Sequence, residues 1–253
     1  MPAATFARFI LLEARRGGLP WLALAAIAVA LVLAVFLSQV ALTERREVQV
    51  AIMAAFLRMS SVFLVGLHVA SSTLRELNDK GLELFLTFPM PRATQYLGRL
   101  AGHGATALII AFAFAAPLLA VADPAAVVLW GFSLAVECLL VAAAALFFSL
   151  ALGQWVPAMA ATAGLYLLAR AMAAIQAIAA SPLAETTVAG EAARWAVDAV
   201  ALLLPRLDLA TQVEWLLYGA ALDGAFTRAI LGMLAYTALL TAGGLFDFHR
   251  RNL

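Results

Sequence analysis

Six largely apolar stretches, near residues 20–41, 49–71, 100–121, 126–150, 157–180 and 226–246, limit what this chain can fold into. As α-helix rising about 1.5 Å per residue, each is long enough to cross the roughly 30 Å of hydrocarbon in a bilayer. The expected fold is an all-α integral membrane protein, one transmembrane domain over residues 1–253, with six spans and both termini on one side. Composition agrees: 65% of the residues are apolar and only 12% are charged, about half the charged share of an ordinary soluble domain. A net charge of +1 with no Lys/Arg run lacks the electrostatic footprint of a nucleic-acid binder, so no nucleic-acid partner is expected. Cys138 is the single cysteine and can form no internal disulfide. A cleavable signal peptide fits the first stretch poorly, because its apolar run is too long and lacks a clear small-residue cleavage site.

Basic residues set the orientation. Arg8, Arg15 and Arg16 precede the first span, Arg75, Lys80, Arg92 and Arg99 follow the second, and Arg250 and Arg251 close the chain. These nine face five on the other side, Arg45, Arg46, Arg194, Arg206 and Arg228, so the termini are expected to be cytoplasmic. Before the first span, "FARFILLEARRGG" places Phe6, Phe9, Ile10 and Leu12 near one helical face and Arg8, Arg15 and Arg16 beside another. Residues 1–18 therefore read as an interfacial helix ended by Gly17 and Gly18, or as a cytoplasmic extension of the first span. Between 181 and 225, apolar runs are broken by Pro182, Glu191, Asp198, Pro205, Asp208, Glu214 and Asp223. "WAVDAVALLLP" and "LDLATQVEWLLYGAAL" are expected to be two amphipathic helices that dip into or lie on the external interface, joined at Pro205.

The segment 72–99 carries seven charged residues, including the only lysine. Arg75 and Asp79 are four residues apart, as are Glu76 and Lys80, and could pair along a helix that continues the second span. Gly81 permits a bend, "LELFLTF" groups Leu82, Leu84, Phe85, Leu86 and Phe88 outside the bilayer, and Pro89 and Pro91 end that short helix. Gly98 then restarts the chain into the third span. A short apolar helix carried on a charged stalk suits a groove on another protein; the plain alternative is a helix lying back on lipid headgroups.

The stretch "RELNDKGLELFLTFPMPRATQYLGRL" resembles the first cytoplasmic loop of type-2 ABC exporter permeases. The likeness rests on Glu76, Gly81, Leu82, Leu86, Pro89, Arg92, Tyr96, Leu97, Gly98 and Arg99, with "LLPRLDL" and "LFDFHRRNL" resembling the closing segments of that family. The resemblance implies a coupling helix at about Leu82–Phe88 seated in a cleft of a separate ABC ATP-binding subunit, with Glu76, Gly81, Glu83, Pro89 and Arg92 completing the docking region. It also implies a second permease copy or a paralogue, the cell inner (cytoplasmic) membrane with contacts to lipid, and ATP and Mg held by the partner, with no cofactor on this chain.

The sequence agrees that the chain has no ATPase site. A P-loop needs Gly-x-x-x-x-Gly-Lys-Ser/Thr to cradle phosphates, and the only lysine, Lys80, lies between Asp79 and Gly81. "GFSL" at 131–134 lacks the setting of a serine nucleophile, so no catalytic residue is assigned. His68 and His103 lie near the cytoplasmic ends of their spans without a carboxylate or thiol at ligand spacing, and read as interfacial histidines with no metal.

Arg58, Glu137 and Arg170 interrupt apolar spans at depths of about 14–17 Å, near the midplane. An ionised side chain there costs several kcal/mol and needs a partner or water. Either Glu137 forms a structural ion pair with one arginine, or two bases against one acid leave positive charge on a translocation path suited to an anion. Gly98 and Gly102, with Gly104 nearby, have the spacing of close helix packing, and Pro117 and Pro157 are candidates to kink or end their spans. The functional expectation is an exporter permease. The rivals are a non-transporting membrane scaffold that docks a cytoplasmic complex, and an ion-coupled transporter using the buried charges; against the latter stands the absence of an inverted repeat.

Overall fold

The computed structural model describes residues 2–40, 45–79, 91–180, 188–219 and 224–250. Their regular structure is helical throughout: α1 (Pro2–Arg16), α2 (Leu19–Val40), α3 (Arg45–Asn78), α4 (Arg92–Ala115), α5 (Pro124–Leu152), α6 (Trp155–Ala179), α7 (Val188–Leu203), α8 (Glu214–Tyr218) and α9 (Gly224–Arg250). Six of these, α2 to α6 and α9, are long and apolar enough to cross a membrane. The expected coupling helix, with Gly81, Leu82, Glu83, Leu84, Phe85, Leu86, Phe88 and Pro89, lies outside the described residues.

The bundle is built around α5, which contacts α3, α4, α6 and α9. Its apolar stretch is 78% buried, against 11% for α2. The run Ala142–Ala145 explains the difference, because all four alanines are fully buried and let neighbouring helices come close. Local chemistry marks both ends of α5. Asp123 accepts hydrogen bonds from the N–H groups of Ala125 (3.0 Å) and Ala126 (3.1 Å), Pro124 occupies the first turn, and Gly153 closes the helix with a left-handed φ of 64°. Pro117 converts the end of α4 into a 3-10 turn over Ala116–Ala120, and Pro157 falls in the first turn of α6.

α1 is a helix of its own, separated from α2 at Gly17–Gly18, and it lies across α4. Phe6, Ile10 and Ala14 face the protein, while Phe9, Leu12, Arg15 and Arg16 are exposed. The crossing is set by Gly102, where a Cβ would stand 2.9 Å from Ile10 Cβ and 3.0 Å from the Ala7 Cα. Gly102→Val is therefore expected to lift α1, since overpacking of this kind costs about 1–3 kcal/mol. Amide hydrogen exchange over 2–16 should speed up about tenfold; unchanged protection would show that the crossing does not depend on a bare Cα.

α3 stays helical to Asn78, in keeping with the expected continuation of the second span, and the next helix begins at Arg92, which corrects the restart expected at Gly98. Burial of Thr73, Leu74 and Tyr96 within the protein makes those turns part of the bundle. The second external helix is shorter than expected among the described residues. α7 covers the first of the two segments, but "LDLATQVEWLLYGAAL" forms a 3-10 turn at Leu207–Leu209, an extended passage through Ala210, and only the short α8. Leu207, Ala210 and Thr211 are buried, so this segment is inserted among the spans.

Candidate functional site

The three charges found in apolar spans come together on that inserted loop. Glu137 on α5 is fully buried. Its Oε1 accepts a hydrogen bond from the Tyr166 hydroxyl at 2.8 Å, and its Oε2 accepts one from Thr211 Oγ1 at 2.6 Å. Arg170 Nη1 stands 3.9 Å from Oε1, which makes it the arginine that pairs with Glu137.

Both guanidiniums also donate to the loop backbone. Arg170 bonds the carbonyl oxygens of Leu207, of Ala210 at 2.7 Å and of Thr211 at 3.5 Å. Arg58 on α3 bonds Thr211 O at 2.9 Å. From α5, Ser133 Oγ accepts the Thr211 N–H at 3.0 Å and lies 3.2 Å from Thr211 Oγ1.

The physical logic is that of non-helical backbone at membrane depth. Carbonyls and amides that no helix satisfies cost several kcal/mol in hydrocarbon, so such backbone persists only where protein groups satisfy it. Here arginine donors cover the carbonyls, while Ser133 and Glu137 cover the amide and hydroxyl of Thr211. Thr211 also holds a left-handed φ of 49°, a conformation that costs a residue with a Cβ about 1–2 kcal/mol. Its hydrogen bonds offset that strain.

The loop's entry is fixed outside the spans. Arg206 is bonded to Asp208 at 2.8 and 2.9 Å, and this hydrogen bond to the carboxylate raises the guanidinium pKa above its ordinary value.

Chemically, the arrangement is a charge-compensated crosslink among α3, α5, α6 and the loop. Ser133, Glu137 and Thr211 are all fully buried, so the hydroxyls have no approach for a substrate. The geometry favours the structural role for the intramembrane charges over an open anion path, since the guanidinium hydrogen bonds go to loop carbonyls. Sequence reasoning found Arg58, Glu137 and Arg170 but missed Tyr166 and Thr211, and considered Ser133 only as a nucleophile. Ser133 precedes Glu137 by four residues and Tyr166 precedes Arg170 by four, a spacing that shares one helical face and could have identified both.

At the opposite end of the bundle, the residues flanking 80–90 form a second cluster. Arg99 is buried and pairs with Glu76 at 2.9 Å, which joins α3 to α4; Lys80, expected to pair with Glu76, lies outside the described residues. Arg75 faces Glu13 of α1 at 3.9 Å, and Ser72 donates to the same carboxylate at 2.8 Å. Arg92 donates to the carbonyls of His249 at 3.0 Å and Phe248 at 3.5 Å, tying α4 to the end of α9. Tyr96 is buried against Phe248 and rests its hydroxyl directly over Gly244, where no Cβ would fit. His68 and His103 pack edge to face with ring centroids 5.7 Å apart, and His103 is buried. Among the described residues, no group of three potential metal ligands occurs.

No protein-family model and no curated protein matches this chain. The reading of its function rests on its own residues.

Proposed function

We propose that this chain is the membrane-spanning permease subunit of an ATP-driven exporter of the type-2 ABC class. In this reading it resides in an inner membrane with cytoplasmic termini and pairs with a second copy or a paralogue. ATP and Mg sit on a separate ATP-binding subunit, and this chain is not itself an enzyme.

One observation carries the reading: the base of the 80–90 segment is mechanically tied to the bundle. The Glu76–Arg99 pair locks the end of α3 to α4, and Arg92 locks the start of α4 to α9. A push delivered at Leu82–Phe88 would then reach three spans at once and move them as a unit. Glu76 and Arg92, expected at the docking surface, serve in this reading as the anchors of the lever. The exposed apolar surface of α2, including Trp21, Val32 and Phe36, leaves room for lipid and for a second permease.

The test is ATPase activity of the candidate ATP-binding subunit copurified with this chain in lipid nanodiscs, for wild type, Phe85→Asp and Leu86→Asp. A buried aspartate in an apolar cleft costs several kcal/mol, so copurification and lipid-dependent turnover are expected to fall at least about tenfold in each variant. Normal binding and turnover by both would sink the lever, and a stable partner without ATP turnover would favour the scaffold.

A further inference from the structure

We propose that the cavity between α1, α2 and α3 binds an anionic phospholipid drawn from the surrounding membrane. The cavity measures about 510 Å³, within the range of ligand sites. Its lining is largely apolar, with Phe9, Leu22 and Leu67, and also carries Arg16, Arg75 and Glu13.

The lining carries two arginines against one acid. Glu13 accepts from Ser72 at 2.8 Å and faces Arg75 at 3.9 Å, which leaves a net positive charge centred on Arg16. Arg16 is exposed and makes no ion pair among the described residues, and the Arg75 side chain is 65% exposed. His68 lines the same space, with Nε2 lacking a hydrogen-bond partner among the described residues. A net positive charge on an apolar lining matches a phosphate ester bearing acyl chains. A free phosphate would leave the apolar wall unused, and a zwitterionic headgroup would bring its own cation against the arginines.

Phe9, Leu12 and Leu22, which line the cavity, are all about half exposed, as a route from the bilayer requires. Gly18 lines the same cavity, and a Cβ there would meet nothing within 4 Å. The site does not depend on ATP-driven transport, so it stands or falls separately from the permease reading.

Native mass spectrometry of the full chain, with phosphatidylglycerol and phosphatidylcholine in competition, tests it. Wild type is expected to hold phosphatidylglycerol about tenfold more tightly than phosphatidylcholine, the order of effect two arginines exert near a membrane surface. Arg16→Gln combined with Arg75→Gln should abolish the preference. Arg8→Gln, an exposed arginine on α1 outside the cavity, should preserve it. Gly18→Leu should weaken phosphatidylglycerol binding by obstruction, with charge unchanged and the backbone free to accept a side chain. Equal retention of the two lipids by wild type would overturn the proposal. So would equal losses in Arg8→Gln and the double variant, full binding by Gly18→Leu, or displacement of the lipid by inorganic phosphate alone.

Discussion

Glu137→Ala should raise the rate at which a membrane-permeant maleimide modifies Cys138 by about a hundredfold. Removing one partner of a buried ion pair costs about 3 kcal/mol or more, and each 1.4 kcal/mol is a tenfold change in an opening equilibrium. The alanine would leave Arg58 and Arg170 without a countercharge, and the hydroxyls of Tyr166 and Thr211 without their acceptor. Cys138 is the only cysteine and is fully buried, which makes it a built-in reporter of that opening. Glu137→Gln keeps the shape and one acceptor and should give a smaller rise. Deuterium uptake over 207–211 should increase in parallel, separating release of the loop from mere exposure of the neighbouring thiol. If labelling and exchange both stay at wild-type rates in Glu137→Ala, the network does not hold the loop.

Arg99→Met should destabilise the protein by about 3 kcal/mol, and adding Glu76→Met should restore most of that loss. The asymmetry follows from burial. A lone carboxylate left on α3 beside α4 is costly, whereas two well-packed apolar side chains often replace a buried pair at little cost. The Arg99 side chain is only 2% exposed and that of Glu76 16%, so solvent screens the pair weakly. Thermal unfolding of the two single variants and the double variant gives the coupling directly. A double variant no more stable than Arg99→Met would mean the site needs charge for reasons other than pairing. Under the permease reading, the double variant should still bind the ATP-binding subunit while its lipid-dependent ATP turnover falls.

The six spans were legible because an unbroken apolar run of that length has few other uses, and α1 was legible from its single apolar face. Less visible were features that depend on distant partners. The helical continuation of the second span was legible in its charge spacing, but not the start of α4 at Arg92, ahead of Gly98, nor that Arg99, on the next span, pairs with Glu76. In the same way, the segment from Leu207 has an apolar spacing compatible with a helix, yet its carbonyls are claimed by arginines of α3 and α6. Tertiary hydrogen bonds there override a weak local preference. Within the site, charges stand out in an apolar run, and Ser133 and Tyr166 lie one turn from them. Thr211 carries no comparable mark, since its role comes from a backbone conformation that only the assembled bundle imposes.

Biosynthesis gives the inserted loop a place in time. Thr211 follows Glu137 by 74 residues, several seconds of translation at about 5–20 residues per second. During that interval α5 has reached its final length while its carboxylate still lacks the Thr211 hydroxyl. Tyr166 and Arg170 arrive earlier, with α6. α2, apolar over nearly its whole surface, has no such debt and can enter lipid alone. The bundle therefore cannot close when its central helix is made. Its polar seam is completed only after the loop has emerged and folded back, which places the final locking step late in synthesis and makes truncations ahead of residue 211 the ones most exposed to quality control.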